Sequence, residues 1–108
     1  MHKYLLIESR DPYESGDAEF IPNLATNLAR KGKEVTILLV QNGVLPARAK
    51  AARGELQNAL EAGVIVLADS FSLRERGIAD SDIVSTIRAV LLDVVVDAMA
   101  DGTKTIWH

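Results

Sequence analysis

Apolar residues in this chain gather into short unbroken runs, separated by stretches in which they recur three or four positions apart. Lys3 to Ile7 (K-Y-L-L-I) is one such run, and it gives way to Glu8, Ser9, Arg10, Asp11 and Pro12. This is the signature of a first strand buried on both faces, with its carboxyl end at Glu8. A turn-rich loop carrying Tyr13 and Gly16 leads to Phe20, Leu24 and Leu28 at helical spacing. The first helix is predicted over 20–31, with Pro22 in its first turn and Gly32 as its stop. Glu34 to Val40 (E-V-T-I-L-L-V) is a second buried strand, followed by Gln41-Asn42-Gly43, where Asn-Gly favours a tight turn. Pro46 to Ala62 is alanine-rich and interrupted by Gly54. It reads either as one broken helix or as a loop and then a helix from Gly54, with Leu56, Ala59 and Leu60 inward.

The chain is organised around Val64 to Ile78 (V-I-V-L-A-D-S-F-S-L-R-E-R-G-I). A third buried strand breaks at Asp69-Ser70 into a short polar helix that ends at Gly77. Asp80 to Val84 reads as a helical turn, and Thr86, Ile87 and Arg88 as a short fourth strand. Leu91 to Met99 has strand propensity, yet Leu91, Leu92, Val95 and Met99 form a helical stripe opposite Asp93 and Asp97, with Gly102 as the cap, so a helix is favoured. Lys104 to His108 (K-T-I-W-H) is a last strand, with Trp107 expected to finish the core. Strand and helix alternate without internal repeat, which predicts one domain over 1–108. Its fold class is α/β, three layers α/β/α with a mostly parallel five-stranded sheet and right-handed crossovers.

Composition narrows the function more than the fold. With 48 % hydrophobic and 25 % charged residues the chain can bury a core without staples. A net charge of −3 with scattered basic residues lacks the footprint of a nucleic-acid binder. No apolar run approaches the roughly 18 residues of a membrane span and no leader pattern precedes the first strand, so no membrane partner is expected and the expected location is cytoplasmic. The absence of cysteine excludes disulfides, thiolate metal sites and thiol nucleophiles. His2 and His108 sit at opposite termini without ligand-spaced companions, so neither a metal nor another cofactor is expected. Ser70 and Ser72 have no histidine nearby in sequence and no nucleophile elbow around them. Glycine-rich phosphate loops are absent.

In an open parallel sheet, ligands bind outside the carboxyl ends of the strands. That rule selects Glu8 and Ser9, Gln41 and Asn42, and Asp69 and Ser70 as candidate ligand-binding residues; no catalytic residue is assigned. Asp69 has two readings. As a helix N-cap it accepts backbone N–H bonds worth about 0.5–2 kcal/mol. As a site residue beside Glu8 it holds a cationic or hydroxyl-bearing ligand, or serves as a general base whose pKa a second carboxylate would raise.

Residues A-R-K-G-K-E-V-T-I-L-L-V, then Q-N-G-V, then A-D-S-F-S-L-R-E-R-G-I carry a likeness that spans nearly the whole chain. The sequence resembles the DsrE/DsrF-like proteins, small α/β domains that include the subunits of the TusBCD sulfur relay and of DsrEFH. Ser72, Leu73, Arg76, Gly77 and Ile78 match the stretch that follows the sulfur-carrying cysteine in those proteins, and Asp69 stands where that cysteine would be. The resemblance implies the fold, and assembly into a trimer or a hexamer of copies or with related DsrE-like subunits. It does not carry sulfur transfer over, because a carboxylate cannot hold a persulfide. An assembly or binding subunit is therefore expected, the alternative being a small-molecule-binding protein or enzyme that uses Asp69 and Glu8. The run Val94, Val95, Val96 independently offers more apolar surface than one stripe can bury, which also points to a homo-oligomer.

Overall fold

The structure, a computed structural model, describes residues 3–11, 17, 19–49 and 54–108. Five strands form one sheet: β1 (Lys3–Glu8), β2 (Glu34–Leu39), β3 (Ile65–Asp69), β4 (Arg88–Val90) and β5 (Lys104–Trp107). Their order is β4-β3-β2-β1-β5, and all four pairings are parallel. The helices are α1 (Phe20–Arg30), α2 (Glu55–Glu61), α3 (Ser70–Glu75) and α4 (Asp93–Ala100), with 3₁₀ segments at Gln41–Ala47 and Asp80–Asp82. The α/β class and the all-parallel sheet agree with the alternation read from the sequence.

The two faces of the sheet are covered unequally. On one face Leu6, Val35, Ile37, Leu39, Val66 and Ala68 pack against Ile21 and Ala25 of α1, Leu56 and Ala59 of α2, and Leu73 of α3. On the other, among the described residues, Leu5, Ile7, Leu38, Val40 and Leu67 meet Val94, Val95 and Ala98 of α4, with Val90 at the margin. Eight residues of helix span roughly 12 Å, whereas five strands span roughly 19 Å. One short helix therefore leaves part of the second face open. The buried residues still anchor the fold, since each fully buried side chain such as Leu6, Ile37 or Leu38 contributes roughly 1.5–3 kcal/mol.

Several local expectations are corrected. The inward face of α1 is centred on Ile21, Pro22, Ala25 and Thr26, with Leu24 and Leu28 half-buried, while Phe20 lies outward at 52 % exposure. The 3₁₀ segment absorbs Asn42-Gly43, so no isolated tight turn forms there. Beyond it the second reading of the alanine-rich stretch holds, a helix beginning after Gly54; residues 50–53 lie outside the described part of the chain, as do 12–16 of the first loop and His2. The fourth strand starts at Arg88, and Ile87 turns back instead, its N–H donating to the Val84 carbonyl at 2.9 Å. In α4 the inward residues are Val94, Val95 and Ala98, so Leu91, Leu92 and Met99 are exposed. Trp107, expected in the core, is 63 % exposed, because β5 is an edge strand on the thinly covered side.

Candidate functional site

The carboxyl ends of β2 and β3 are latched through α3. Asp69 closes β3 in an extended conformation and caps α3, its Oδ2 accepting the Ser72 N–H at 3.0 Å and the Ser72 Oγ–H at 2.6 Å. Ser72 Oγ in turn accepts the backbone N–H of Gln41 at 2.8 Å. Gln41 needs that partner, since it holds a left-handed φ of 51°, a conformation that costs a side-chain-bearing residue of order 1–3 kcal/mol. Arg76 completes the latch, donating from Nε to Asn42 Oδ1 at 3.0 Å and from Nη1 to the Ser72 carbonyl at 3.2 Å. Gly77, with φ 67°, then stops the helix where a Cβ would be strained. Asp69 and Ser72 are both buried, so the capping reading of Asp69 describes its geometry. Ser70 is half-buried in the first position of α3.

A second cluster forms where β1 and β5 end side by side. The register Ile7↔Trp107 places Glu8 next to His108, whose Nδ1 lies 3.0 Å from both Glu8 carboxyl oxygens. His108 Nε2 is 3.4 Å from Asp17 Oδ2, and its ring is tilted against Phe20 at 5.4 Å. Ser9 donates from N and Oγ to the His108 carbonyl at 3.1 and 3.0 Å. Its hydroxyl is thus committed to backbone. Glu8 is buried at 3 % exposure. Burial raises its carboxyl above the usual 4.5, and the hydrogen bond and attraction from His108, with the N–H groups of Arg10 and Ser9, offset only part of that rise.

The two carboxylates do not share a site. Glu8 follows Leu6 by two residues and Asp69 follows Ala68 by one. Leu6 and Ala68 lie in the same core layer. Alternation along a strand therefore directs Glu8 to the α1 face and Asp69 to the α4 face. The strand between them, β2, adds a separation of roughly 10 Å, two strand spacings. No coupled pair of the kind that tunes an acid and a base is formed by these residues.

On the α4 face a groove of about 420 Å³ runs along the carboxyl ends of the strands. Ile7, Leu38 and Val40 form its floor, and Leu92, Val95 and Val96 its roof. Asp69, Phe71, Ser72 and Glu75 line it on the β3–α3 side, Gln41 at the end of β2, and Trp107 on the β5 side. Of the six residues expected at the strand ends, the groove takes Gln41 and Asp69. Glu8 and Ser9 belong to the His108 cluster, and Asn42 holds Arg76. No local motif marks Ser72 as a latch or His108 as a partner of Glu8. The second was available in principle, because aligning the carboxyl ends of K-Y-L-L-I-E and K-T-I-W-H as parallel neighbours sets Glu8 beside His108. Among the described residues no group of His, Asp and Glu is arranged to hold a metal ion, and no helix is long and apolar enough to cross a membrane.

No protein-family model matches the chain, and no curated protein matches its sequence. Solved structures do match its shape. The ychN protein from E. coli superposes with a TM-score of 0.88 at 16 % identity, over the whole of both chains. The protein of unknown function MTH1491 from Methanobacterium thermoautotrophicum gives 0.84 at 18 % identity, again over both whole chains. The conserved protein of unknown function BT1422 from Bacteroides thetaiotaomicron gives 0.79 at 19 %, covering 98 % of this chain and 94 % of that one. At these identities the similarity is one of fold.

Proposed function

We propose that this chain is a DsrE/DsrF-like subunit that does not carry sulfur and acts instead through assembly and binding in the cytoplasm. The observation that carries the reading is Asp69, which stands at the position the resemblance gives to the sulfur-carrying cysteine. It is buried, and one of its oxygens is committed to capping α3. A relay subunit needs a thiolate to attack the donor and hold the sulfur, and the chain contains none.

The exposed apolar residues favour assembly over life as a monomer. Leu91, Leu92, Val96 and Met99 all lie on α4 or at its amino-terminal approach, and all are at least 50 % exposed. Such a patch is larger than scattered surface leucines would give, and covering it with another subunit of the trimer or hexamer that the resemblance implies removes it from water. Copies of the chain serve that purpose, as do related DsrE-like subunits. Incubation of the purified chain with a labelled persulfide donor, followed by mass spectrometry, is expected to leave no sulfur attached, and sedimentation at micromolar concentration is expected to give a multiple of 11.7 kDa. Retained sulfur or a monomeric mass overturns the reading.

A further inference from the structure

The groove has a polarity along its length. At its β3 end stands Asp69, 3 % exposed. Oδ2 accepts both bonds from Ser72, and no donor among the described residues reaches Oδ1. Asp69 lines the groove, and because no fully buried side-chain nitrogen or oxygen among the described residues lacks a partner, Oδ1 retains a little exposure. Glu75 adds a second carboxylate at the same end, and Phe71, 57 % exposed, presents an aromatic ring between them in sequence. Among the described residues that line the groove none is Lys, Arg or His. Toward β5 the lining turns apolar, through Val40, Leu38 and Ile7 under Val95, and it ends at the indole of Trp107. From β3 to β5 there are three strand spacings, roughly 14 Å.

We infer that this groove binds an elongated amphipathic amine, its ammonium head at Asp69 Oδ1 and Glu75 and its apolar body laid along the floor toward Trp107. Each part of the lining selects against another ligand class. An anion would meet two carboxylates without a compensating cation, whereas an ammonium gains a charge-assisted hydrogen bond from an acceptor that is already fixed by Ser72. Phe71 adds the attraction of a ring face for a cation. A small hydrophilic cation would leave the apolar floor and Trp107 uncovered, so the body of the ligand must be apolar. This inference rests on the proposed binding role and deepens it by naming the ligand class.

Trp107 is the only tryptophan in the chain, so its fluorescence reports on the groove. Octylamine, added to the full chain in whatever assembly it forms, is expected to shift the emission of Trp107 to the blue and to bind at least about tenfold more tightly than octanol. Octanoate is expected not to bind. Asp69→Asn keeps the cap, because Asn and Asp are equivalent N-caps. The variant should therefore unfold within a few degrees of the parent while its preference for the amine over the alcohol falls close to one. Glu75→Gln, on the exposed side of α3, should lower that preference severalfold and leave folding untouched. Equal binding of octylamine and octanol, no binding of octylamine, or a preference that survives both substitutions overturns the inference. None of these titrations depends on sulfur retention or native mass, so either reading can fail while the other stands.

Discussion

Ser72 donates its hydroxyl to Asp69 across 2.6 Å while accepting the backbone N–H of Gln41 at 2.8 Å, so one side chain fastens the ends of two strands. In Ser72→Ala the Gln41 N–H loses its partner at a left-handed residue, and Asp69 Oδ2 keeps only the backbone N–H. Loss of a hydrogen bond that leaves a group unsatisfied costs about 1–3 kcal/mol. The expected result is a lower urea midpoint with an unchanged m-value. A midpoint equal to that of the parent would show that the latch contributes nothing to stability.

Gly43 is required by contact rather than by φ. A Cβ built on it would lie 2.2 Å from the carbonyl oxygen of Glu8, the same oxygen that accepts the Val40 N–H at 2.9 Å. The obstacle is backbone and cannot rotate away. Gly43→Ala should therefore destabilise by about 1–3 kcal/mol, as overpacking does, and lower the melting temperature by roughly 4–8 °C per kcal/mol for a domain of this size. An unchanged melting temperature would contradict the close approach.

Glu8 makes stability depend on pH with a definite sign. Its pKa in the folded chain lies above the ordinary 4.5, so between those two values the native state binds more proton than the unfolded one. Stability then falls as pH rises through that window, and the contribution is fully present only below it. Glu8→Gln removes this titration yet still offers His108 an acceptor. The difference in unfolding free energy, parent minus variant, should decline as pH is raised from 4.5 through the folded pKa. Chemical denaturation at a series of pH values measures it, and a difference that is flat or rises with pH would contradict the burial of Glu8.

Local chemistry alone determined much of this protein. Continuous apolar runs placed β1, β2 and β3 within a residue or so of their ends, since a strand buried on both faces admits few polar positions. Asp69 was legible as a cap, because a short polar side chain ahead of a helix has a backbone N–H within reach whatever else surrounds it. Gly77 and Gly102 marked helix ends for an equally local reason, a left-handed φ that other residues resist.

Tertiary structure decided what no local pattern encodes. Strand order put β5 at the edge beside β1, which paired His108 with Glu8 across one hundred residues of sequence and turned Trp107 outward. Relative register directed Glu8 and Asp69 to opposite faces, although both end their strands, because a shift of one residue reverses the direction of a side chain. The number of helices on each face selected which side of α4 is buried: with no second helix beside it among the described residues, Leu91, Leu92 and Met99 are left exposed. These outcomes depend on which segments become neighbours, and that is set by the sum of packing over the whole domain rather than by any one stretch of the chain.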